Sequence, residues 1–380
     1  MLTSILAKRL ITANQIVERP LLTLEDATIV AVSSLEETDA TTLTHHWPEK
    51  TITAGLFDIH THGAVGHDVM EGNADALRTI GKFLAQHGVT EYLATTVTAS
   101  MDFTKGALAA MARHIERGPE TEEARIAGIH IEGPFLSHAK RGMHPPHHLR
   151  RPSPDILEQL WQASEGRIVL MTIAPELPGA LETIARAHEL GIRCSIGHSD
   201  ADTQQTMRAL KAGVVSATHT FNAMRTLNQR EPGILGVVLD RDEIYSDLIC
   251  DGVHVAPELV RLWLKAKGSE RAILITDALE ATGMPNGVYK LGETRVHVQD
   301  GHCTTDEGVL AGSVLTLDQA VANVRSFTGC DLTTAVRLAS RNPQQMLGWP
   351  DSLRVGGEAN FNVFGPQGEL VHTLLRGNLL

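Results

Sequence analysis

The sequence predicts an α/β protein, in which a (β/α)8 barrel of the TIM type is joined to a small β-sandwich formed by both chain termini. Eight apolar, strand-like runs alternate with helix-like segments through the middle of the chain. Most of these runs are continuously apolar, as expected for strands buried on both faces of a parallel sheet. Both ends of the chain consist instead of short strand-like runs, which suits one small sheet domain.

The β-sandwich is predicted over residues 1–53 and 342–380. Its N-terminal strands are expected in "SILAKRLITA", "QIVERPLLTLED" and "ATIVAVSSL". Its C-terminal strands are expected in "FNVFGPQGELVHTLLRGN", on either side of a turn at Gly365–Gly368.

The barrel is predicted over residues 54–341. Its strands are expected, in order, in "TITAGLFDI", "TEYLATTVT", "ARIAGIHIE", "RIVLMTIAPE", "GIRCSIGH", "VVSATHTF", "EIYSDLICDG" and "RAILITDA". Helical patterns between them include "ADALRTIGKFLAQHG", "PDILEQLWQAS", "GALETIARAHELG", "ADTQQTMRALKAG" and "APELVRLWLKAKG", several of which end in a capping glycine. The link "NAMRTLNQREPGILGVVLDRD" before the seventh strand shows no clear helix. A glycine-punctuated insert near residues 285–308 is predicted to be a β-hairpin.

Composition narrows the kind of protein. The chain has 380 residues, 42% of them apolar, and a formal net charge of −12. This charge argues against nucleic acid or an anionic membrane as a partner. Four cysteines without a CxxC spacing indicate neither a disulfide framework nor a zinc ribbon and suit a reducing compartment. Lys8 and Arg9 interrupt the N-terminal apolar run, so neither a signal peptide nor a membrane span is predicted, and a cytoplasmic location is expected.

Metal-capable side chains stand at the ends of five predicted barrel strands, where barrels of this type place their active sites. They are His60 and His62 after strand one, Glu132 after strand three, His198 after strand five, His219 after strand six and Asp277 after strand eight. Singly, His198 could be a hydrogen-bonded core histidine and Asp277 a helix N-cap. Glu132 could pair with Arg141. Because all six fall at one level of the barrel, together they predict a metal site.

The ligand types indicate the metal and the chemistry. Residues i and i+2 of a strand point to the same side, so His60 and His62 project together. Nitrogen and oxygen ligands without thiolate suit Zn²⁺, and also Fe, Mn, Co or Ni. A bound metal lowers the pKa of water from about 15.7 to about 7, which makes hydroxide available at neutral pH. Asp277 could take the proton of that water and pass it to a leaving group. The pattern therefore predicts metal-assisted hydrolysis.

Nine stretches extend this prediction over nearly the whole chain. They are "GLFDIHTHG", "GIHIEGPFLS", "KRGMHPPH", "IGHSDA", "ATHTFNAM", "REPGILG", "DGVHV", "ITDALEATG" and "GVLAGSVLTLDQAV". In these motifs and their order the chain resembles the amidohydrolase superfamily, and within it the branch that deacetylates N-acetylglucosamine 6-phosphate. The resemblance implies a distorted barrel with a small β-sandwich. It also implies hydrolysis of the acetamide to glucosamine 6-phosphate and acetate, in amino-sugar catabolism or recycling.

The resemblance also implies roles for residues. Glu132, His198 and His219 would bind the main metal, and Asp277 would be the general base and acid. Some members of the branch lack the two histidines of the first motif and hold one metal, so His60 and His62 imply a second metal here. Strand four has no lysine that could bridge two metals after carboxylation, so Glu132 would have to bridge them. Substrate-contacting positions are Met143, His144, Asn222, Ala223, Arg230, Asp251, His254, Leu310, Ala311 and Gly312.

Arg230 and His254 are the cationic donors expected to hold a phosphate, because a guanidinium offers a fork of N–H groups. The alternative for Arg230 is an ion pair with Glu231 or Asp240, and the alternative for His254 is a solvated loop histidine. The resemblance implies a homodimer, in which Arg230 could reach the neighbouring subunit's site.

For other histidines and cations in the chain, the sequence gives less support for a functional role. Lys140 and Arg141 could add to the positive field near His144. The pairs His45–His46 and His147–His148 are interpreted as loop residues.

Three other functions remain open at this stage. One is deacetylation of the galactosamine 6-phosphate epimer, and another is hydrolysis of an N-acyl amino acid or a cyclic amide. The third is a catalytically inactive barrel that serves as a scaffold, which the complete set of ligands argues against.

Overall fold

The computed structural model describes residues 2–12, 15–34 and 43–380. The centre of the protein is a nearly closed barrel of eight parallel strands, which pair in chain order. The strands are Leu56–Thr61, Val89–Thr96, Arg125–Glu132, Ile168–Ile173, Arg193–Ile196, Val214–Ala217, Tyr245–Ile249 and Ala272–Ile275. The first and last strands meet through a parallel bridge between Thr61 and Ala278, beside which His62 N donates to Ala278 O at 2.8 Å. The predicted eight-stranded barrel is confirmed.

Helices surround the barrel and bury one face against it. They are Ala74–Gln86, Met101–Arg117, Pro154–Ala163, Ala180–Glu189, Thr203–Lys211, Gly233–Asp240, Pro257–Arg271, Leu317–Thr328, Leu332–Leu338 and Arg341–Leu347, with 3₁₀ turns at Val69–Glu71 and His138–Lys140. Polar caps start several of them: the Asn73 side chain accepts from Ala76 N at 2.7 Å, and Asp202 forms a capping box with Gln205. None of the helices in the described part of the chain combines the length and apolar character needed to cross a membrane.

The link before the seventh strand contains a helix that the sequence pattern did not indicate, Gly233–Asp240. Ile234, Leu235, Val237 and Val238 are all buried, so the helix lacks the polar face that makes an amphipathic period visible. A short apolar run of this kind cannot be told from a buried strand by periodicity.

The insert after the eighth strand has three antiparallel strands, so the predicted two-stranded hairpin was wrong in strand number. The strands are Gly287–Leu291, Thr294–Gln299 and His302–Thr305. Leu291, Val296 and Cys303 are buried and join the hydrophobic core of the barrel. The third strand was missed because it is only four residues long and carries no apolar alternation. This insert sheet lies beside the barrel mouth. A further two-stranded ribbon, Gly63–Ala64 with His67–Asp68, follows the first barrel strand.

Both termini build a second sheet, as predicted. Its strands are Leu2–Ile11, Ile16–Glu18, Pro20–Glu25, Thr28–Ser34, His45–Ala54, Phe361–Phe364, Leu370–Leu375 and Asn378–Leu379. The sheet folds over on itself, so that its strand Thr28–Ser34 meets the segment just before Phe361–Phe364. Ile29 N donates to Gly357 O at 3.0 Å, and Ala359 N donates to Ala27 O at 2.7 Å. It encloses its own hydrophobic core, separate from that of the barrel. His45 and His46 begin a strand, so their interpretation as loop residues was wrong.

The packing bears on the predicted domain boundaries. In the helix Arg341–Leu347, Met346 and Leu347 join the barrel core, whereas Leu353 joins the core of the terminal sheet. We therefore propose that the second boundary lies after this helix instead of at residue 342, with the first near 54 as predicted from the sequence. Residues 1, 13, 14 and 35–42 of the predicted domain lie outside the described residues.

Candidate active site

The six metal-capable side chains meet at the C-terminal mouth of the barrel, with Glu132 at their centre. Glu132 Oε1 lies 3.2 Å from His198 Nε2, 3.0 Å from His219 Nε2 and 3.4 Å from His60 Nε2. Glu132 Oε2 lies 3.3 Å from His62 Nε2. The carboxylate thus lies between two pairs of histidines, one from strand one and one from strands five and six.

Asp277 lies on the side of His60 and His62. Its Oδ1 is 3.1 Å from His62 Nε2 and 3.4 Å from His60 Nε2. Burial by itself would raise the pKa of Asp277, but the neighbouring imidazoles of His60 and His62 lower it to about 2. The carboxylate of Asp277 is therefore ionised at neutral pH.

The histidine rings are held so that Nε2 faces the centre. His198 Nδ1 donates to the Lys140 carbonyl at 2.9 Å, and His62 Nδ1 donates to the Thr95 carbonyl at 3.0 Å. In a neutral imidazole the other nitrogen, Nε2, then carries a lone pair. These lone pairs face the carboxylate oxygens of Glu132, so a cation is needed between them.

A divalent metal fits this requirement. The separations of 3.0–3.4 Å between ligand atoms are close to the roughly 3.3–3.6 Å expected for a tetrahedral ion with Zn–N and Zn–O distances of about 2.0–2.2 Å. The donors are imidazole nitrogen and carboxylate oxygen, without thiolate, which suits Zn²⁺ and its first-row neighbours. The chemistry of the donor set therefore fits the metal site expected from the sequence.

Backbone strain is concentrated at three of these residues. His198, His219 and Asp277 have positive φ angles of 46°, 33° and 51°, a region that non-glycine residues rarely adopt. Such strain commonly marks functional sites and is held by surrounding hydrogen bonds. Asp277 N donates to His60 O at 2.9 Å, and the buried Asp247 side chain accepts from His219 N.

Asp247 is a supporting residue that the sequence analysis missed. It lies on the seventh barrel strand, and burial raises its pKa to about 7. The available signal was an acid inside the apolar run "EIYSDLIC", since a buried carboxylate requires a hydrogen-bond donor nearby.

Asp58 and His130 form a second supporting layer below the mouth and were also missed. Asp58 accepts from Thr276 Oγ1 at 2.6 Å and from His60 N at 3.2 Å. His130 Nε2 lies 2.8 Å from Thr172 Oγ1, and its ring packs edge-on against His60. Burial raises the pKa of Asp58 to about 6 and lowers that of His130. These residues fix the position of His60.

A cavity of about 340 Å³ opens above the histidines and carboxylates. Its size falls within the roughly 300–1,000 Å³ of small-molecule sites. Eight of the ten predicted substrate-contacting residues line it: Met143, His144, Asn222, Ala223, His254, Leu310, Ala311 and Gly312. Ala139, Leu291 and Val309, which the sequence analysis missed, also line it, and so does Lys140. No motif could have indicated Leu291, because it reaches the cavity from the insert sheet.

The two remaining predicted residues lie outside the cavity wall. Asp251 holds His254, whose Nδ1 is 2.6 Å from Asp251 Oδ2. Arg230 is exposed, and its backbone N donates to Asn228 Oδ1 at 2.9 Å. The proposed alternative partners of Arg230 bond elsewhere: Glu231 accepts from Thr203 and Asp240 pairs with Arg241.

His144 lies closer to the carboxylate centre than the sequence indicated. Thr98 N donates to His144 Nδ1 at 3.3 Å, so Nε2 is the protonated nitrogen, and it points at Glu132 Oε2 from 3.5 Å. Burial lowers the pKa of His144 to about 4, although Glu132 opposes this effect. The ring is therefore a neutral hydrogen-bond donor at the floor of the cavity.

This barrel, with histidines and carboxylates gathered at its mouth, has the architecture of a metal-dependent hydrolase. A family model described as "Amidohydrolase family" matches residues 51–380. The chain belongs to the amidohydrolase family.

Individual relatives are similar over most of their length. The chain is 33% identical over 376 residues to N-acetylglucosamine-6-phosphate deacetylase of Bacillus subtilis, covering 97% of this chain and 95% of that protein. It is 36% identical over 346 residues to N-acetylgalactosamine-6-phosphate deacetylase of Escherichia coli O157:H7, covering 90% and 89%. A structure of N-acetyl-D-glucosamine-6-phosphate deacetylase from Mycobacterium smegmatis, in complex with N-acetyl-D-glucosamine-6-phosphate, superposes with a TM-score of 0.94 at 31% identity, covering 100% and 99%.

Proposed function

We propose that the protein removes the acetyl group of N-acetylglucosamine 6-phosphate, giving glucosamine 6-phosphate and acetate. The proposal rests chiefly on one arrangement at the floor of a cavity of about 340 Å³. There Glu132 lies between two histidine pairs, with Asp277 beside them. This arrangement supports hydrolysis assisted by metal. The activities of the similar proteins, which deacetylate amino-sugar 6-phosphates, support the choice of substrate.

Glu132, His198 and His219 would hold the main metal ion, and His60 and His62 a second ion that shares Glu132. Zinc is the ion that the donor set favours. A divalent ion bound there supplies Lewis-acid polarisation of the acetamide carbonyl and lowers the pKa of a water molecule to about 7.

Asp277 would act as general base and then as general acid. Its Oδ1 lies 3.1 Å from His62 Nε2, so the carboxylate is at the same level as the ligands and faces the reacting centre. As an ionised carboxylate it can accept the proton of the attacking water. It can then donate that proton to the departing amine of the sugar, which leaves the acetate behind.

His144 would position the acetamide from the cavity floor, where its Nε2–H lies beside Glu132 Oε2. The phosphate would bind at His254, whose Nδ1 is held by Asp251, together with Asn222 and the backbone around Ala223. Lys140 lines the same cavity and supports an electropositive end. Because the chain is acidic overall, recognition of this dianion depends on close hydrogen bonds of this kind.

A substrate panel tests the proposed activity. We expect the metal-loaded protein to hydrolyse N-acetylglucosamine 6-phosphate far faster than N-acetylglucosamine, its galacto and manno epimers, or N-acetyl amino acids. Preference for the galacto 6-phosphate would favour the second candidate function, which the Escherichia coli relative supports. Equal rates with and without the phosphate would contradict both.

Arg230→Ala is expected to raise KM for N-acetylglucosamine 6-phosphate by at least about tenfold, because hydrogen bonds to charged groups contribute about 1.5–3 kcal/mol each. We propose a homodimer in which Arg230 reaches the partner subunit's cavity, and its exposed position outside its own cavity supports this arrangement. Steady-state kinetics on the phosphorylated and unphosphorylated sugars provide the measurement. Arg241→Ala, on an exposed arginine, is the control. An equal loss on both sugars would assign Arg230 a structural role.

Replacing both His60 and His62 with glutamine is expected to lower the metal content of the active centre toward one ion per chain and to spare part of the activity. The main set of Glu132, His198 and His219 stays intact, since the two pairs contact Glu132 from different strands. Elemental analysis after dialysis against zinc checks this. A wild-type protein that never binds more than one ion at this centre would argue against a second site.

A cytoplasmic location is proposed together with this activity. The four cysteines are free thiols, and three of them are buried. Unpaired thiols suit a reducing compartment.

A further inference from the structure

A second cluster of metal-capable side chains lies outside the cavity, at the rim of the barrel mouth. It consists of His147, His148 and Glu293. His147 Nε2 lies 3.6 Å from Glu293 Oε2, and His148 Nε2 lies 3.1 Å from Glu293 Oε1. One ligand atom from each of the three residues can be chosen so that all lie within 4.8 Å of one another.

The cluster joins two segments that are far apart in the chain. His147 and His148 lie in a turn closed by the hydrogen bond from His148 N to Pro145 O at 3.1 Å. Glu293 lies in the two-residue turn of the insert sheet, between Leu291 and Thr294. Nothing in the local sequence requires two adjacent histidines to face a carboxylate 145 residues away. Their convergence is a property of the fold.

The geometry suits a transition-metal ion. Two imidazole nitrogens and one carboxylate are a ligand set typical of open zinc sites. The two N–O separations are close to the roughly 3.3–3.6 Å between ligands of a tetrahedral ion with bonds of about 2.0–2.2 Å. The side chains of His147 and Glu293 are 64% and 58% exposed, so an ion can enter from solvent and keep water as its remaining ligand.

The surrounding charges permit a cation. His147 and Glu293 line a cleft together with two cations, Arg141 and Arg295, and two further acids, Asp306 and Glu307. The three acids outnumber the two arginines. The cluster therefore does not lie in a strongly positive field.

We propose that His147, His148 and Glu293 bind a divalent transition-metal ion, such as Zn²⁺, at a site separate from the active centre, and that this ion ties the insert sheet to the loop that carries Met143 and His144. A hydrogen bond already joins the same two segments, from Thr294 Oγ1 to Met143 O at 3.1 Å. Met143, His144 and Leu291 all line the active-site cavity. The bound ion thus holds together two walls of the cavity.

Zinc binding by the full-length protein tests the site. Wild type, His147→Ala and Glu293→Gln are each dialysed against zinc at a concentration that saturates the wild type, and the ions per chain are counted by elemental analysis. We expect both variants to hold one ion fewer than the wild type. His297→Ala is the matched control, because His297 pairs with Asp306 and has no third metal-capable neighbour among the residues that the structure describes.

Equal zinc content in wild type and both variants would overturn the site. Hydrogen exchange tests the tie: zinc is expected to slow exchange of amides 286–305 in the wild type and in His297→Ala, but not in Glu293→Gln. An additional ion that leaves this exchange unchanged would overturn the link between the two walls. Because these measurements do not depend on the substrate, they stand apart from the proposed deacetylase activity.

Discussion

His219→Ala is expected to lose the metal of the main site and at least about 10³-fold in kcat/KM, since a metal ion contributes several kcal/mol to the transition state. His219 Nε2 lies 3.0 Å from both Glu132 Oε1 and His198 Nε2, so its removal opens one side of the ligand set. The remaining Glu132 carboxylate would then face solvent and the strand-one histidines. Elemental analysis and initial rates of acetate release are the two measurements.

The fold of this variant should persist, because Asp247 accepts from the backbone N of residue 219 and not from its side chain. Circular dichroism and thermal unfolding check that point. His188→Ala, which removes an exposed histidine, is the control and should keep both metal and activity. A His219→Ala protein with undiminished metal would contradict the assignment of His219 as a ligand.

Asp277→Asn is expected to lower kcat by at least about 10²-fold while the metal is retained, because general acid–base catalysis is typically worth about 10²–10⁴-fold. Asparagine preserves the shape of the side chain and removes its ability to accept a proton. Glu132 and the four histidines are unchanged, so the metal content should stay near that of wild type. Single-turnover kinetics with elemental analysis of the same sample provide the measurement.

The matched control is Asp300→Asn, an exposed aspartate with a similar φ angle of 52°. It should leave kcat unchanged. An Asp277→Asn protein whose kcat lies within a few-fold of wild type would exclude Asp277 as the proton carrier. A loss of metal in the variant would instead place Asp277 among the ligands.

The barrel and the centre of the site could be predicted because their signals are local. Most barrel strands are continuous apolar runs, and the residue that follows such a strand lies at the mouth of the barrel. The sequence pattern therefore places four side chains at one level of the barrel: His60, Glu132, His219 and Asp277. In the structure the Nε2 atoms of His60 and His219 lie 3.4 and 3.0 Å from Glu132 Oε1, and Asp277 lies beside His60 and His62.

The features that could not be predicted depend mostly on contacts between distant segments. The hydrophobic periodicity of a local stretch does not indicate such contacts. Leu291 enters the cavity wall only because the insert sheet folds back over the mouth. His148 meets Glu293 for the same reason. The helix Gly233–Asp240 was missed because its apolar residues occupy nearly every position and leave no amphipathic period.

We conclude that the protein is a metal-dependent deacetylase of N-acetylglucosamine 6-phosphate. Acetate release from this sugar phosphate, measured before chelation, after complete metal removal and after zinc is restored, tests this conclusion most directly. We predict acetate and glucosamine 6-phosphate in equal amounts, loss of both products on chelation, and recovery with zinc. Acetate release that survives complete metal removal, or no release by the metal-loaded protein, would contradict the claim.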